Sequence, residues 1–402
     1  MRSLIDYRTI VGDKVISNIY EKARLLYKRR IININSTYAG GGVAEILGSL
    51  VPLMNDVGVK ADWRIIRGTP DLFNITKKFH NALQGDPLNL TRIKKKLYLQ
   101  ANESFSNYAI IDHDFVVVHD PQPLPLIQYY RKQQPWVWRC HIDLSHPNQE
   151  LWEFLKDYIL QYDKIIVSSD KYKREDIPIQ QAIFQPVIDP LMPKNIELKE
   201  AEIHKYTRKF KIPMDKPFIL QVSRFDKWKD PMGVVDIFKK VKKKVDCRLI
   251  LCGNMASDDP EGIPIYERIK RKANNHIESG DIMLITHENS ILVNILQRVA
   301  AVVIQKSLRE GFGLTVTEAL WKGRPVIASN VGGIPLQIKH EETGILADPK
   351  DFDYITEKII EIIKNPKPYE KMAAAGKEFV RENFLVTRLM DNYLNLAAKM
   401  IH

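Results

Sequence analysis

The stretch 306-KSLREGFGLTVTEALWKGRPVIASNVGG-333 decides the fold. An apolar run rich in β-branched residues at 301–304 leads into it and reads as a buried strand. A loop with Glu310, Gly311, Phe312 and Gly313 follows, then a helix over 314–321 that begins at Leu314 and is stopped by Gly323. A second buried strand over 325–328 and a glycine turn at 331–333 complete the stretch. Strand, loop, helix and strand make one unit of a parallel sheet, and ligands of such sheets bind at the carboxyl ends of the strands, where this loop lies.

The loop places charge where charge is costly. Glu310 stands between an apolar strand and two glycines, which permit unusual backbone angles and close approach of a ligand. The N–H groups of residues 312–315 open a helix, and unpaired N–H groups at a helix start attract anions, phosphate above all. Glu318 follows eight residues after Glu310, so carboxylates suited to sugar hydroxyls lie beside an anion-binding turn. Two readings of Glu318 stand side by side. It is a ligand-binding carboxylate, or it closes a capping box with Thr315 as N-cap.

Outward from this unit the same alternation fills the chain. Strands are expected at 30–35, 62–66, 115–119, 136–143, 164–168 and 182–184, with helices at 10–27, 43–57, 72–84, 91–107 and 148–161. Residues 186–193 hold three prolines and read as a linker. A second set has a helix at 197–210, strands at 218–222, 247–251, 281–285, 301–304, 325–328 and 344–346, and closing helices at 354–364, 369–383 and 387–399. Alternation with buried, parallel-type strands is the pattern of doubly wound α/β domains. The expected fold is α/β: two Rossmann-like doubly wound domains, 1–190 and 191–386, facing across a cleft of the kind that holds small molecules. In the last helix, Leu389, Tyr393, Leu396 and Met400 form one apolar stripe.

Polar groups collect at the ends of the expected strands. Gly40, Gly41 and Gly42 lie between the first strand and a helix, as in a phosphate-binding turn, although a plain tight turn has the same look and the G-x-G-x-x-G fingerprint is absent. Arg224 and Lys229 follow the strand at 218–222. A fork donor and a point charge suit a diphosphate whose charge grows as a bond to it breaks; the alternative is a basic loop in solvent. On a strand running to 143, Arg139, His141 and Asp143 share one face, which suggests a site rather than core. His119 and Asp120 end another strand, where Asp120 reads more simply as a helix cap. No metal-ligand spacing is present, so no metal is expected.

Composition sets outer bounds. The 402 residues are 45% hydrophobic and 27% charged, an ordinary globular balance with length for two cores. No apolar run approaches the ~20 residues that span a bilayer, and residues 1–6 lack a secretory h-region. The three cysteines, Cys140, Cys247 and Cys252, read as reduced thiols, so a cytoplasmic protein is expected and the N-x-S/T sequons are taken as chance. The net charge of +11 is spread over helix faces without a nucleic-acid signature, and an anionic substrate accounts for part of it.

Together these residues resemble the GT-B-fold retaining glycosyltransferases that include sucrose and bacterial glycogen synthases. The features that carry the resemblance are Gly40-Gly-Gly-Val-Ala44, Ser223-Arg-Phe-Asp-Lys-Trp-Lys229 and the E-x7-E motif from Glu310 to Glu318. A closer likeness, through His119-Asp120-Pro-Gln-Pro123, Trp138-Arg-Cys-His-Ile-Asp143 and Arg309-Glu-Gly-Phe-Gly-Leu-Thr315, is to the trehalose glycosyltransferring synthases; trehalose phosphorylases share several of these motifs. The resemblance implies that Arg224 and Lys229 hold the diphosphate, and that Glu310 with the N–H groups of Gly311, Phe312, Gly313 and Leu314 binds the transferred glucose. It implies that Glu318 binds the ribose, that Gly41, Gly42 and His141 meet the donor, and that Gly42 and Asp143 meet the acceptor. No enzyme nucleophile is implied, and front-face attack assisted by the leaving phosphate is the usual proposal. It implies substrates such as UDP-glucose or ADP-glucose with glucose or trehalose, no cofactor, no nucleic-acid or membrane partner, and a last helix (387–402) that crosses back to the first domain. Homodimerisation and the nucleotide base stay open. The activity implied is a reversible glucosyl transfer from NDP-glucose to glucose that forms α,α-trehalose; the rival readings are a trehalose phosphorylase using inorganic phosphate, another retaining sugar-nucleotide glycosyltransferase and, last, a non-catalytic sugar- or nucleic-acid-binding protein.

Overall fold

The computed structural model describes residues 2–38, 41–253, 262–287 and 289–401, and the chain divides into two compact units. One is Met1–Val187 with Leu385–His402; the other is Ile188–Phe384.

The first unit contains strands β1 (Arg30–Asn35), β2 (Lys60–Ile65), β3 (Phe115–His119), β4 (Trp136–Arg139), β5 (Lys164–Val167) and β6 (Gln181–Ile183). They form one parallel sheet in the order β2-β1-β3-β4-β5-β6. The second contains β7 (Phe218–Val222), β8 (Arg248–Cys252), β9 (Ile282–Ile285), β10 (Val302–Gln305), β11 (Val326–Ser329) and β12 (Ile345–Ala347), in the order β12-β11-β10-β7-β8-β9, again all parallel. Strands such as Phe115–His119 and Phe218–Val222 are buried along their whole length, as sheets covered on both faces require.

In both sheets the chain reverses its direction of travel once. In the first the reversal falls between β1 and β3, and in the second between β7 and β10, where Val302 pairs with Ile219 and Val303 with Leu220. At such a switch point the two loops leaving the strands diverge to opposite faces and open a crevice. The fold therefore brings residues 223–230 beside residues 306–313 in one unit, and the ends of β1, β3 and β4 together in the other.

Helix starts follow local chemistry. Thr69, Thr91 and Asn148 each accept a hydrogen bond from a first-turn N–H. Asp230 caps the helix Pro231–Lys242, with its side chain accepting from Gly233 N at 3.0 Å and Pro231 at N1, where the missing N–H costs nothing. The last helix, Val386–Ile401, packs on the helices Asp13–Leu25 and Gly42–Asp56. Leu389, Tyr393 and Leu396 of its stripe are buried, Met400 is half-buried, and Asp391 bonds Lys22 at 2.7 Å.

Several expected elements differ. The strand at 136–143 ends at Arg139, because residues 140–143 leave the sheet. The lead-in helix is broken at Gly12, whose φ of 83° and ψ of 162° interrupt it. Helices at Pro231–Lys242, Gly262–Glu278 and Ser290–Val299 complete the second alternating set. Gly40 lies outside the described residues, so the glycine turn is seen only at Gly41 and Gly42.

Candidate active site

In the second unit the two loops at the switch point are laced together. Lys229 forms an ion pair with Glu310, which is 8% exposed and also accepts from Ser307 Oγ at 3.3 Å. Lys306, 1% exposed, pairs with Asp230 and lies over the Phe352 ring at 4.5 Å. Leu308 N donates to Trp228 O at 2.7 Å, and the Arg309 guanidinium covers the Trp228 ring at 4.9 Å. Buried cations persist only when paired, so each lysine fixes the loop opposite its own.

Lys229 is held at its backbone as well. Asp226, buried, accepts from Trp228 N at 2.9 Å and Lys229 N at 3.0 Å, while Gln221 on β7 donates to Lys229 O at 2.8 Å. Arg224 reaches Asp226 only at 3.7 Å, and its side chain is 39% exposed. The result is a largely buried ammonium and a more exposed guanidinium on one loop. Behind Glu310 runs a chain of hydroxyls and amides: Ser307 accepts from Gln305 at 3.1 Å, and Gln305 accepts from Thr315 at 3.2 Å.

The helix opens at Leu314, with Gly313 as N-cap at φ 86°. A Cβ there would be strained by that backbone and would lie 3.1 Å from Glu310 Cγ, so glycine is required for the carboxylate to sit where it does. Phe312 is buried, packs tilted against Phe384 with ring centroids 5.8 Å apart, and its carbonyl accepts from Gln337. It serves the loop as an anchor, while Gly311, Gly313 and Leu314 remain half-buried at the helix start.

The capping-box reading of Glu318 is corrected. The N-cap is Gly313 rather than Thr315, whose hydroxyl turns to Gln305 instead. Glu318 is 1% exposed; its carboxylate meets Lys194 Nζ at 2.9 Å and Gln297 Nε2 at 3.2 Å. Beside it Lys322 is buried against Asn195 Oδ1 at 3.0 Å, and burial pulls its pKa down to about 7. Glu318 thus belongs to a polar cluster that ties residues 194–197 to the helices Ser290–Val299 and Leu314–Trp321.

In the first unit the shared strand face of Arg139, His141 and Asp143 dissolves with the strand. Arg139 is fully buried and donates to the carbonyls of Val167, at 3.0 Å, and Phe184, so it braces β5 and β6. His141 is turned to another partner: its Nε2 lies 3.1 Å from His119 Nδ1, and His119 Nε2 lies 3.0 Å from Asn33 Oδ1. Burial drives the pKa of His119 down to about 3 and that of His141 well down too, so both rings are neutral. Asp120 does not cap a helix. At φ 62° it turns back to accept from His141 N at 2.8 Å, and burial raises its pKa to about 6. Asp143 Oδ1 accepts from Ser145 N at 2.9 Å and Ser145 Oγ at 2.6 Å. Gly41 and Gly42 are exposed at the start of the helix Gly42–Asp56.

Among the described residues no group of three or more metal-binding side chains occurs, and no helix is long and apolar enough to cross a membrane. Residues 33–174 match the family described as trehalose synthase, N-terminal domain, and residues 202–379 match glycosyl transferases group 1. The trehalose synthase of Pyrococcus horikoshii is 46% identical over 98% of this chain and 96% of its own length. The chain belongs to the trehalose synthase family. A second trehalose synthase, from Rubrobacter xylanophilus, is 40% identical over all of this chain and 97% of its own length. The trehalose phosphorylase of Pleurotus pulmonarius is 29% identical over 94% of this chain but only 58% of its own length. Among solved structures, a UDP-forming α,α-trehalose-phosphate synthase from Burkholderia xenovorans superposes with a TM-score of 0.74 at 16% identity, covering 93% of this chain and all of the other. Sucrose-phosphate synthase from Thermosynechococcus elongatus gives 0.71 at 18% identity, covering 92% of this chain and 98% of the other. The fold of this trehalose synthase family member is therefore GT-B, a glycosyltransferase fold.

Residue-by-residue reading of this family member missed the supports of the basic loop: Gln221, Asp226, Asp230 and Lys306. Asp230-Pro231 carries a helix-start signal that marks the loop's end. For Lys306, a charged residue directly after a buried strand was the available sign.

Proposed function

We propose that the protein transfers glucose from a nucleoside diphosphate glucose to free glucose, forming α,α-trehalose with retention at the donor carbon, and that the reaction runs in both directions. The observation that carries this reading is the Lys229–Glu310 pair at the switch point of the second sheet, in a chain 46% identical to a trehalose synthase.

In this scheme the C1–O bond to the β-phosphate breaks and its electrons pass to the phosphate oxygen. Arg224 and Lys229 neutralise that charge; a group held in place before the reaction needs no reorganisation as charge develops. The acceptor's anomeric hydroxyl forms the new bond at C1 from the face the phosphate leaves, and its proton goes to the departing phosphate oxygen. Glu310, engaged by Lys229 and Ser307, accepts from hydroxyls of the transferred glucose and is not a nucleophile. The helix start at Gly311 to Leu314 offers N–H groups to the same sugar. Glu318 takes the ribose hydroxyls. His141 serves the donor sugar, Asp143 the acceptor, and Gly41 and Gly42 give both sugars close approach. Gly41 supports this: its φ of −179° suits any residue and a Cβ would meet nothing within 4 Å, so the fold does not itself require glycine there. No cofactor or metal is given a part, since the two cations fill the role a metal would take.

A second reading, trehalose phosphorolysis, is favoured by the 29%-identical phosphorylase, because the same cations would hold inorganic phosphate. The two are separated by incubating trehalose with UDP, ADP, GDP or phosphate. Nucleoside diphosphate glucose is the expected product. Glucose 1-phosphate formed from phosphate alone would replace the synthase reading with the phosphorylase one.

A further inference from the structure

The side chains of Asn33, His119 and His141 form a line, and the transfer reaction described above uses only the last of the three. Asn33 lies on β1, His119 ends β3 and His141 follows β4, so adjacent strands at the first sheet's switch point supply all three. Asn33 and His119 are buried. The two imidazole planes are inclined by only 16° with centroids 5.4 Å apart, so the bond between them lies close to both ring planes. His141 is also fixed at its backbone, through its N–H to Asp120 Oδ1.

Two neutral imidazoles joined nitrogen to nitrogen must share one proton, and the direction of that bond depends on what lies behind it. Asn33 presents its carbonyl oxygen to His119 Nε2, which is therefore the protonated nitrogen of His119. His119 Nδ1 is then a lone pair and accepts from His141 Nε2–H. His141 Nδ1 is left without a proton. Turning the Asn33 amide over would reverse every step and make His141 Nδ1 a donor. Desolvation and the nearby Arg139 guanidinium both oppose protonation of His119, which keeps a second proton from blurring the choice.

We propose that Asn33 and His119 are positioning residues that set the tautomer of His141, so that its Nδ1 accepts a hydrogen bond from a substrate hydroxyl. The proposal rests on the reading of His141 as a sugar-facing residue. It adds a specificity device to that reading, since a bare nitrogen welcomes a hydroxyl and rejects a sugar position whose oxygen has no proton to give.

The test is tautomer-resolved nitrogen NMR of the full chain labelled at histidine, with His141→Gln to identify the signal, alongside turnover of Asn33→Leu. Leucine keeps the volume of asparagine and removes the acceptor. Wild-type protein is expected to carry the His141 proton on Nε2. In Asn33→Leu that preference is lost, and turnover falls about tenfold, the worth of one hydrogen bond. A wild-type His141 protonated on Nδ1 overturns the relay and needs no variant. A tautomer unchanged in Asn33→Leu overturns it too. A shifted tautomer with unchanged turnover supports the relay and overturns instead the placement of His141 on the sugar.

Discussion

Replacing Glu318 by glutamine separates a carboxylate that only binds ligand from one that also holds the second unit together. The side chain is 1% exposed and is matched by Lys194, itself 19% exposed. Removing one member of a buried pair costs up to about 3–5 kcal/mol when the other charge is stranded. Here glutamine still accepts from Lys194, and that partly exposed ammonium regains water, so Glu318→Gln is set at ~2 kcal/mol. Lys194→Met strands the carboxylate itself and should cost ~3 kcal/mol. For a unit the size of Ile188–Phe384, 384 − 188 + 1 = 197 residues, ~2 kcal/mol lowers Tm by roughly 4–8 °C. Thermal unfolding of both single variants and the double variant gives the coupling, expected at about 1–2 kcal/mol. In the same preparations the KM for nucleoside diphosphate glucose rises in Glu318→Gln, since an amide accepts through one atom where a carboxylate offers two. Strict additivity of the two substitutions, or an unchanged Tm in Glu318→Gln, would refute the argument from the buried pair.

Further outcomes follow from the same geometry. Arg224→Ala lowers turnover about 10²-fold with little change in Tm, because the side chain is exposed; Lys229→Ala lowers both, because it removes the ammonium that ion-pairs with the buried Glu310. Steady-state kinetics with calorimetry checks the contrast. Lys306→Met costs about 2 kcal/mol in urea unfolding, since Asp230 loses its partner but keeps some access to water. His119, held at about 3 against an ordinary 6.5, gives stability that is lost as pH falls through that window; His119→Gln should flatten the acid decline. Asp120 has the opposite sign. Its pKa of about 6 against 3.8 gives stability present below 3.8 and lost as pH rises through 6, and Asp120→Asn should remove that loss in denaturant titrations across the range. Lys322, at about 7 against 10.5, makes stability grow as pH rises between those values, a slope that Lys322→Met should abolish.

Fold and site were legible to different depths. Buried parallel strands announce themselves as short β-branched runs, so the strand expected at 218–222 and the helix expected at 314–321 match the observed elements end to end. Arg139 was wrongly grouped with His141 and Asp143 because alternation along a strand says nothing about where the strand stops. His141 lies beyond that end and answers to His119 and Asp120, partners from another strand. The capping box at Thr315 failed for a related reason. Its spacing is met, but Gly313 had already taken the N-cap through a backbone angle that Thr315 would adopt only with strain. The charge of Lys306 directly after a buried strand was its one sign, and its partner could not be read because Asp230 stands 76 positions away; Asp226 and Gln221 carried no signature of the bonds they make to the backbone of Trp228 and Lys229.

The helix Val386–Ile401 completes the first unit although it is made after the second. Between Val187 and Leu385 the ribosome must add 384 − 187 = 197 residues. At ~5–20 residues per second, that takes about 10–40 s. Throughout this interval the apolar sides of the helices Asp13–Leu25 and Gly42–Asp56 that will receive Leu389 and Tyr393 have no cover from their own chain. The nascent protein thus carries an open seam for far longer than a helix takes to form, and its yield in a cell depends on how well that seam is shielded until the helix Val386–Ile401 has been made.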